Sequence, residues 1–348
     1  MRARPRLANI GGCSSHLRNP PMIPRRTVLA AALAGGSAPF LHPAAHAQSG
    51  FPSRLVRIVP FGTAGGPIDT LARAYAERLQ ARWGQPFIVE AKPGASGIIA
   101  ADFVAKAPPD GHTVLFTLPL THVNVPILQS KVPYDPVRDF TPLSMLATGG
   151  PMIVARADAP YADVPGLLEF ARRSGKPLNY GTWGTGSTAH LFGELLRRQS
   201  GITLTHVPYK AEAQVHSDLF GGALDFAWSN PSTARGHVQA GKMKVLAIAG
   251  TRRVSTMPQV PTFAEQGLRG FDIDSWIGVY APARLPAELQ STWVTALRET
   301  TALPEVAQRL VAFGFEPLGN TPAQFLERYQ ADYPRVAELI KVAGVTAD

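Results

Sequence analysis

Apolar positions along this chain fall into short runs and helical stripes that take turns. Residues 56–61 form a run of strand character. Residues 68–83 follow as a helix, with Leu71, Ala72, Tyr75, Ala76 and Leu79 on one face and Gly84 as its stop. Residues 87–90 read as the next strand, 98–107 as a helix and 114–116 as a third strand. Between the last two, Pro108-Pro109-Asp110-Gly111 has the composition of a turn. Beyond Phe140 the alternation resumes. Strands are predicted over 144–146, 152–155, 178–181, 205–209, 224–228 and 244–249, with helices over 164–173, 191–199 and 215–219. Residues 275–281 read as a strand returning to the first half, and three helices (286–297, 304–313 and 322–343) follow it. Each of the three starts on a proline, the usual place for one. Such alternation predicts an α/β fold with mainly parallel sheets.

Two segments share a layout within that pattern. Residues 57–73 contain Gly62-Thr63-Ala64-Gly65-Gly66, and residues 178–191 contain Gly181-Thr182-Trp183-Gly184-Thr185-Gly186-Ser187. Each reads as a strand, a glycine-rich loop and a helix start. Glycine lets backbone come close to a ligand, and the free N–H groups of a helix start favour an anion. Two such cradles imply one small anion held between two lobes. Neither carries the Lys-Ser/Thr ending of a P-loop nor the dinucleotide glycine spacing, which argues against a nucleotide.

The N-terminus changes the charge picture. Arg25-Arg26, the apolar run that follows and Ala45-His46-Ala47 form a secretory leader over residues 1–47, with a twin-arginine flavour. Met22 is a better-placed start than Met1. Gly35, Gly36, Pro39 and Pro43 interrupt the apolar run too early for a membrane span. The leader holds six arginines and no acid, so its removal from 34 basic and 25 acidic residues lowers the net charge from +9 to +3. That near-neutral balance, with no basic run, speaks against a nucleic-acid partner. Cys13, the one cysteine, leaves with the leader, which excludes disulfides and thiolate-held metals. His112, His122, His190, His206, His216 and His237 are dispersed, so no metal and no cofactor are expected.

Further short words stand in order along the chain: Pro93-Gly94-Ala95, Pro109-Asp110-Gly111-His112-Thr113, Pro133-Tyr134-Asp135-Pro136, Leu178-Asn179-Tyr180, His206-Val207-Pro208-Tyr209-Lys210, Ala240-Gly241-Lys242 and Val260-Pro261-Thr262. With the first cradle, they make the chain after its leader resemble the substrate-binding proteins of tripartite tricarboxylate transporters, the Bug family. The resemblance implies a two-lobe periplasmic-binding fold (Venus-flytrap, type II-like). One lobe would comprise residues 48–150 and 274–348 and the other residues 151–273. It also implies a periplasmic, monomeric receptor that hands a small carboxylate to a permease of one large and one small subunit. In the family the cradle loops hold a carboxylate mainly through backbone N–H groups. Carried over, these are Thr63, Ala64, Gly65, Gly66 and Asp69 in one lobe and Gly184, Thr185, Gly186, Ser187, Thr188 and His190 in the other, with Ser96 in the Pro-Gly-Ala loop. The chain departs from the pattern at Ile98, where asparagine is usual, at Trp183, where a small residue is common, at Ala211-Glu212, where glycine follows the Tyr-Lys pair, and at Ser229-Asn230. Ile98 and Trp183 are therefore the candidates for ligand choice.

Chemistry narrows the roles. An acid at Asp69 would repel a carboxylate, so a brace in the first helical turn suits it better. Ser187 and Thr188 fit either a helix cap or a ligand donor. His190 lies three residues after Ser187, but the nucleophile-elbow pattern and an acid partner are absent. Tyr209 and Lys210 end a strand at an edge that faces the cleft in such folds; Lys210 fits a second-carboxylate contact or a solvated surface. Asn230 fits a donor or a turn cap. Trp183, inside a glycine loop, suggests an aromatic or planar acid, whereas Trp228 and Trp276 read as core. A sensor feeding a signalling kinase would use the same cleft, and a carboxylic-acid-processing enzyme is the remaining alternative.

Overall fold

The computed structural model describes residues 50–129 and 131–345. The leader over residues 1–47, with its export route and start site, lies outside the described residues. Chain order begins with β1 (Val56–Pro60), α1 (Pro67–Trp83), β2 (Phe87–Val89), α2 (Ile98–Ala105) and β3 (Thr113–Thr117). A π-helical turn (Leu120–Asn124) runs into α3 (Val125–Leu128) and then β4 (Phe140–Gly149). Next come β5 (Met152–Arg156), α4 (Val164–Ser174), β6 (Leu178–Thr182), α5 (Thr188–Ser200), β7 (Leu204–Pro208), α6 (Glu212–Gly221), β8 (Phe226–Ser229), α7 (Pro231–Gln239) and β9 (Met243–Ile248). The chain ends with β10 (Ser275–Pro282), α8 (Ala287–Ala302), α9 (Pro304–Ala312), β11 (Phe315–Pro317) and α10 (Pro322–Ala343).

Local sequence explains most of these limits. Pro67 opens α1 and Gly84 closes it at φ 66°, a left-handed conformation that glycine adopts without strain. Asp163 caps α4 by accepting the Gly166 N–H, and Thr321 with Gln324 forms a capping box on α10. The helix α7 is not among the predicted elements. Its sequence, PSTARGHVQ, offers almost no apolar stripe, so only its position after β8 marks it. β4 is also longer than the three residues its apolar run suggests.

Two sheets form a two-lobe α/β fold. The first has the order β11-β4-β10-β3-β1-β2, the second β7-β6-β8-β5-β9. Both are mixed rather than mainly parallel, which corrects the expectation from alternation. β1 pairs in parallel with β2 and β3, and β6 with β7 and β8. The pairs made by β4, β5 and β10 are antiparallel. The physical reason is connectivity: β4 carries the chain away from the first sheet and β10 brings it back, so the two run in opposite directions. The crossings fall between Gly149 and Met152 and between Ile248 and Ser275.

Three apolar clusters hold this arrangement. One places Leu71, Tyr75, Trp293 and Leu297 against the first sheet, and another places Val215 and Leu219 against the second. The third is shared by both sheets and includes Leu115, Phe192, Trp228, Trp276 and Phe325. Trp228 and Trp276 are almost fully buried there, at roughly 1.5–3 kcal/mol for each large apolar side chain so buried. The long helix α10 joins the lobes by packing on both α5 and β4.

Candidate functional site

The glycine-rich loops connect β1 to α1 and β6 to α5, and both line one cleft of about 420 Å3. In the first loop the Gly66 N–H donates to the Thr63 carbonyl (3.0 Å), and Gly65 sits at φ 78°. No side chain caps α1, so its first turn is open to the cleft. Asp69 is fully buried behind the loop. Its carboxylate accepts from the Gly65 N–H (2.9 Å) and from Arg73 Nε (2.8 Å). Burial raises the Asp69 pKa, but Arg73 and the Gly65 N–H outweigh it and hold the carboxyl below its ordinary value. This geometry makes Asp69 a brace.

The second loop is braced by histidines. Gly184 lies at φ 123° and Gly186 at φ 75°. Ser187 Oγ donates to the Gly184 carbonyl (2.7 Å) and accepts the His190 backbone N–H (3.2 Å). His190 Nδ1 accepts from the Gly186 N–H (3.1 Å), so that nitrogen carries no proton. The His190 ring stacks on His206 at 3.8 Å between centroids, and His206 Nε2 meets Thr182 Oγ1 at 2.6 Å. Burial, then the neighbouring His190, push the His206 pKa down to about 3. Asn124 Nδ2 reaches the Gly186 carbonyl at 3.4 Å, tying this loop to the turn after β3.

Most of the candidates sort into three places, and Tyr209, Ser96 and Ile98 lie elsewhere. Thr63, Gly66, Trp183, Ser187, Thr188, Lys210 and Asn230 line the cleft. Ala64, Gly65, Thr185, Gly184 and Gly186 shape the two loops without lining it, and Asp69 and His190 stand behind them. Tyr209 turns to Asp218, with its hydroxyl 2.6 Å from Oδ2. Ser96 accepts from Thr121 Oγ1 (3.1 Å) through its carbonyl and is not at the cleft. Ile98 does not reach it either. It lines a separate groove of about 640 Å3 with Arg57, Lys92, Phe103 and Lys106, a groove that touches neither glycine loop. The asparagine-to-isoleucine departure at that position therefore gives no contact in the cleft, because α2 turns its start toward the other groove.

The sequence reading missed an apolar wall made by Phe61, Leu118, Leu120, Phe313 and Phe315. These come from the ends of strands and from loops, where apolar residues carry no periodic signal. It also missed a third helix start, that of α7. There Glu212 accepts from Ser229 Oγ (2.6 Å), the Asn230 N–H (2.6 Å), Asn230 Nδ2 (2.8 Å) and Thr233 Oγ1 (2.5 Å). The signal available was Asn230-Pro231 directly after a buried strand, a third strand-to-helix junction.

This arrangement suits non-covalent capture of an anion. Ser229, His216 and Glu212 do meet, but Ser229 is fully buried and donates its proton to Glu212. His216 Nε2 faces both Ser229 (2.9 Å) and Glu212 (3.6 Å), whereas a triad needs the acid on the far ring nitrogen. Ser187 and His190 likewise spend their side chains on backbone groups. Among the described residues no group of three or more His, Cys, Asp or Glu gathers as metal ligands, and no helix is long and apolar enough to cross a membrane.

Residues 71–345 match the family model described as "Tripartite tricarboxylate transporter family receptor". Three solved structures are similar to the chain along its length. One, the periplasmic binding protein BugD, is 32% identical, with a TM-score of 0.72 over 86% of this chain and 100% of that one. The R. palustris protein Rpa4515, recorded with adipate, is 32% identical, with a TM-score of 0.75 over 85% of this chain and 99% of that one. MatC from Rhodopseudomonas palustris, recorded with malate, is 31% identical, with a TM-score of 0.70 over 83% of this chain and 100% of that one.

Proposed function

The chain belongs to the tripartite tricarboxylate transporter receptor family, and on that footing we propose that it captures a small carboxylate in the periplasm and delivers it to a two-subunit membrane permease. The observation that carries the reading is the pair of glycine loops, residues 63–66 and 183–188, whose helix starts line one cleft from two sheets. Backbone N–H groups there supply anion affinity without a formal charge. The adipate and malate recorded with two similar proteins support a carboxylate as ligand. Residues 48–150 with 274–348 act as one lobe and residues 151–273 as the other, closing on the ligand about the two crossings. Residues 1–47 direct export, and the protein works as a monomer. It makes and breaks no bond in the ligand. Trp183, half-buried in the cleft wall, contacts the ligand body.

A thermal-shift screen over mono-, di-, tri- and aromatic carboxylates tests this. A true ligand at a hundred times its dissociation constant adds about 2.7 kcal/mol of stability. If a sugar or an amine shifts the melt and no acid does, the reading is wrong. Co-purification with a permease encoded beside the gene tests the partner.

A further inference from the structure

Of the helix starts that face the cleft, α1 carries no side-chain cap, whereas α7 already holds an anion. The anion is the protein's own Glu212 carboxylate, reached from the first turn of α6. Four donors hold it, the Asn230 N–H and Nδ2, Ser229 Oγ and Thr233 Oγ1, all within 2.8 Å. Its side chain is 13% exposed and lines the cleft beside Asn230 and Thr233. Four hydrogen bonds of this kind fix its position. No Lys or Arg among the described residues comes within 4.0 Å of it; the one basic side chain that does is His216. Burial first, and then His237, lower the His216 pKa against the pull of Glu212, so the ring is neutral near pH 7. Lys210 lines the same cleft but is exposed and makes no ion pair among the described residues. A negative charge thus faces this end of the cleft with no cation paired to it. Phe61, Leu118, Leu120 and Trp183 supply an apolar wall to the same cleft.

We propose that Glu212 determines specificity by filling, from within the protein, the place where a second ligand carboxylate would dock. Building on the carboxylate reading above, the receptor takes acids with one carboxylate and an uncharged, apolar body. The glycine loops hold the carboxylate, the apolar wall covers the body, and Glu212 turns away a second anionic group. Adipate and malate, recorded with two similar proteins, each carry a second carboxylate that this chain rejects.

Calorimetric titration at pH 7.5 with matched pairs, hexanoate against adipate and benzoate against terephthalate, decides the matter. Wild-type protein is expected to bind the monocarboxylate of a pair about tenfold tighter or more, the scale of one like-charge contact in a partly dry cleft. Glu212→Gln removes the charge and brings the ratio toward one. Glu212→Ala also frees the donors at α7 and favours the dicarboxylate further. Raising salt from about 20 mM to about 500 mM shrinks the wild-type ratio by screening, a readout that needs no variant. Equal or tighter wild-type binding of the dicarboxylates overturns the inference and leaves the carboxylate reading standing. So does an unchanged ratio in both variants at wild-type melting temperature. If neither member of any pair binds while a sugar or an amine does, the carboxylate reading falls and takes the inference with it.

Discussion

Asp69 holds the first glycine loop through the Gly65 N–H and an ion pair with Arg73, whose side chain is 54% exposed. Asp69→Asn keeps the shape and loses the charge, so a cost of about 1–2 kcal/mol is expected, modest because Arg73 is solvated. A carboxyl held below its ordinary value stabilises the fold above that value and stops doing so as pH falls through the folded one. The gap between wild type and variant in urea melts is therefore expected to close as pH drops below 3.8; a gap that persists at pH 2 contradicts the brace. His122 behaves differently. Neither ring nitrogen has a hydrogen-bond partner, the ring stacks on Tyr280 at 4.0 Å, and burial pushes its pKa down to about 3. The folded protein keeps it neutral while the unfolded chain protonates below 6.5, so its contribution is present above 6.5 and is lost as pH falls toward 3. His122→Phe retains a ring for the stack and is expected to lose less stability between pH 6.5 and pH 4 than wild type. Equal loss in both proteins, measured by denaturant midpoints, counts against that assignment. Asp69 at a helix start already read as a brace from the sequence. The role of His122 was not legible from residue type, because its burial depends on residues far along the chain.

At the scale of elements, the crossings between the sheets are the tightest points. A Cβ added to Gly150 would lie 1.8 Å from the Ala249 carbonyl oxygen. Gly150→Ala must therefore move backbone, and a loss of about 3 kcal/mol or more is expected. Gly175, closing α4 at φ 63°, has nothing within 4 Å of its added Cβ, so Gly175→Ala should cost only the left-handed strain of about 1–2 kcal/mol. Comparable melting temperatures for the two variants would refute close packing at the crossing. Elements with a strong period were readable: α1, α4 and α10 lie where their stripes, prolines and terminal glycines placed them. α7 was not, since tertiary contact rather than an apolar stripe keeps it helical. The pairing direction of β4 and β10 also escaped, because a strand's own residues do not show which neighbour it will join.

For the whole molecule, the proposed ligand contacts from two lobes imply closure, provided that those contacts form together only in the closed state. Small-angle scattering should show a smaller radius of gyration with a bound acid than without it, and no change would argue for a rigid cleft. By itself the chain's order of apolar runs, prolines and glycines determined an α/β fold, the two glycine loops and the family, because these depend on residues close in sequence. Tertiary structure alone decided what meets across the cleft. It set Ile98 in another groove, brought Phe61, Phe313 and Phe315 to one wall, and put the Glu212 carboxylate on the start of α7. These are contacts between residues far apart in the chain, and local pattern carries no record of which distant partners folding will bring together.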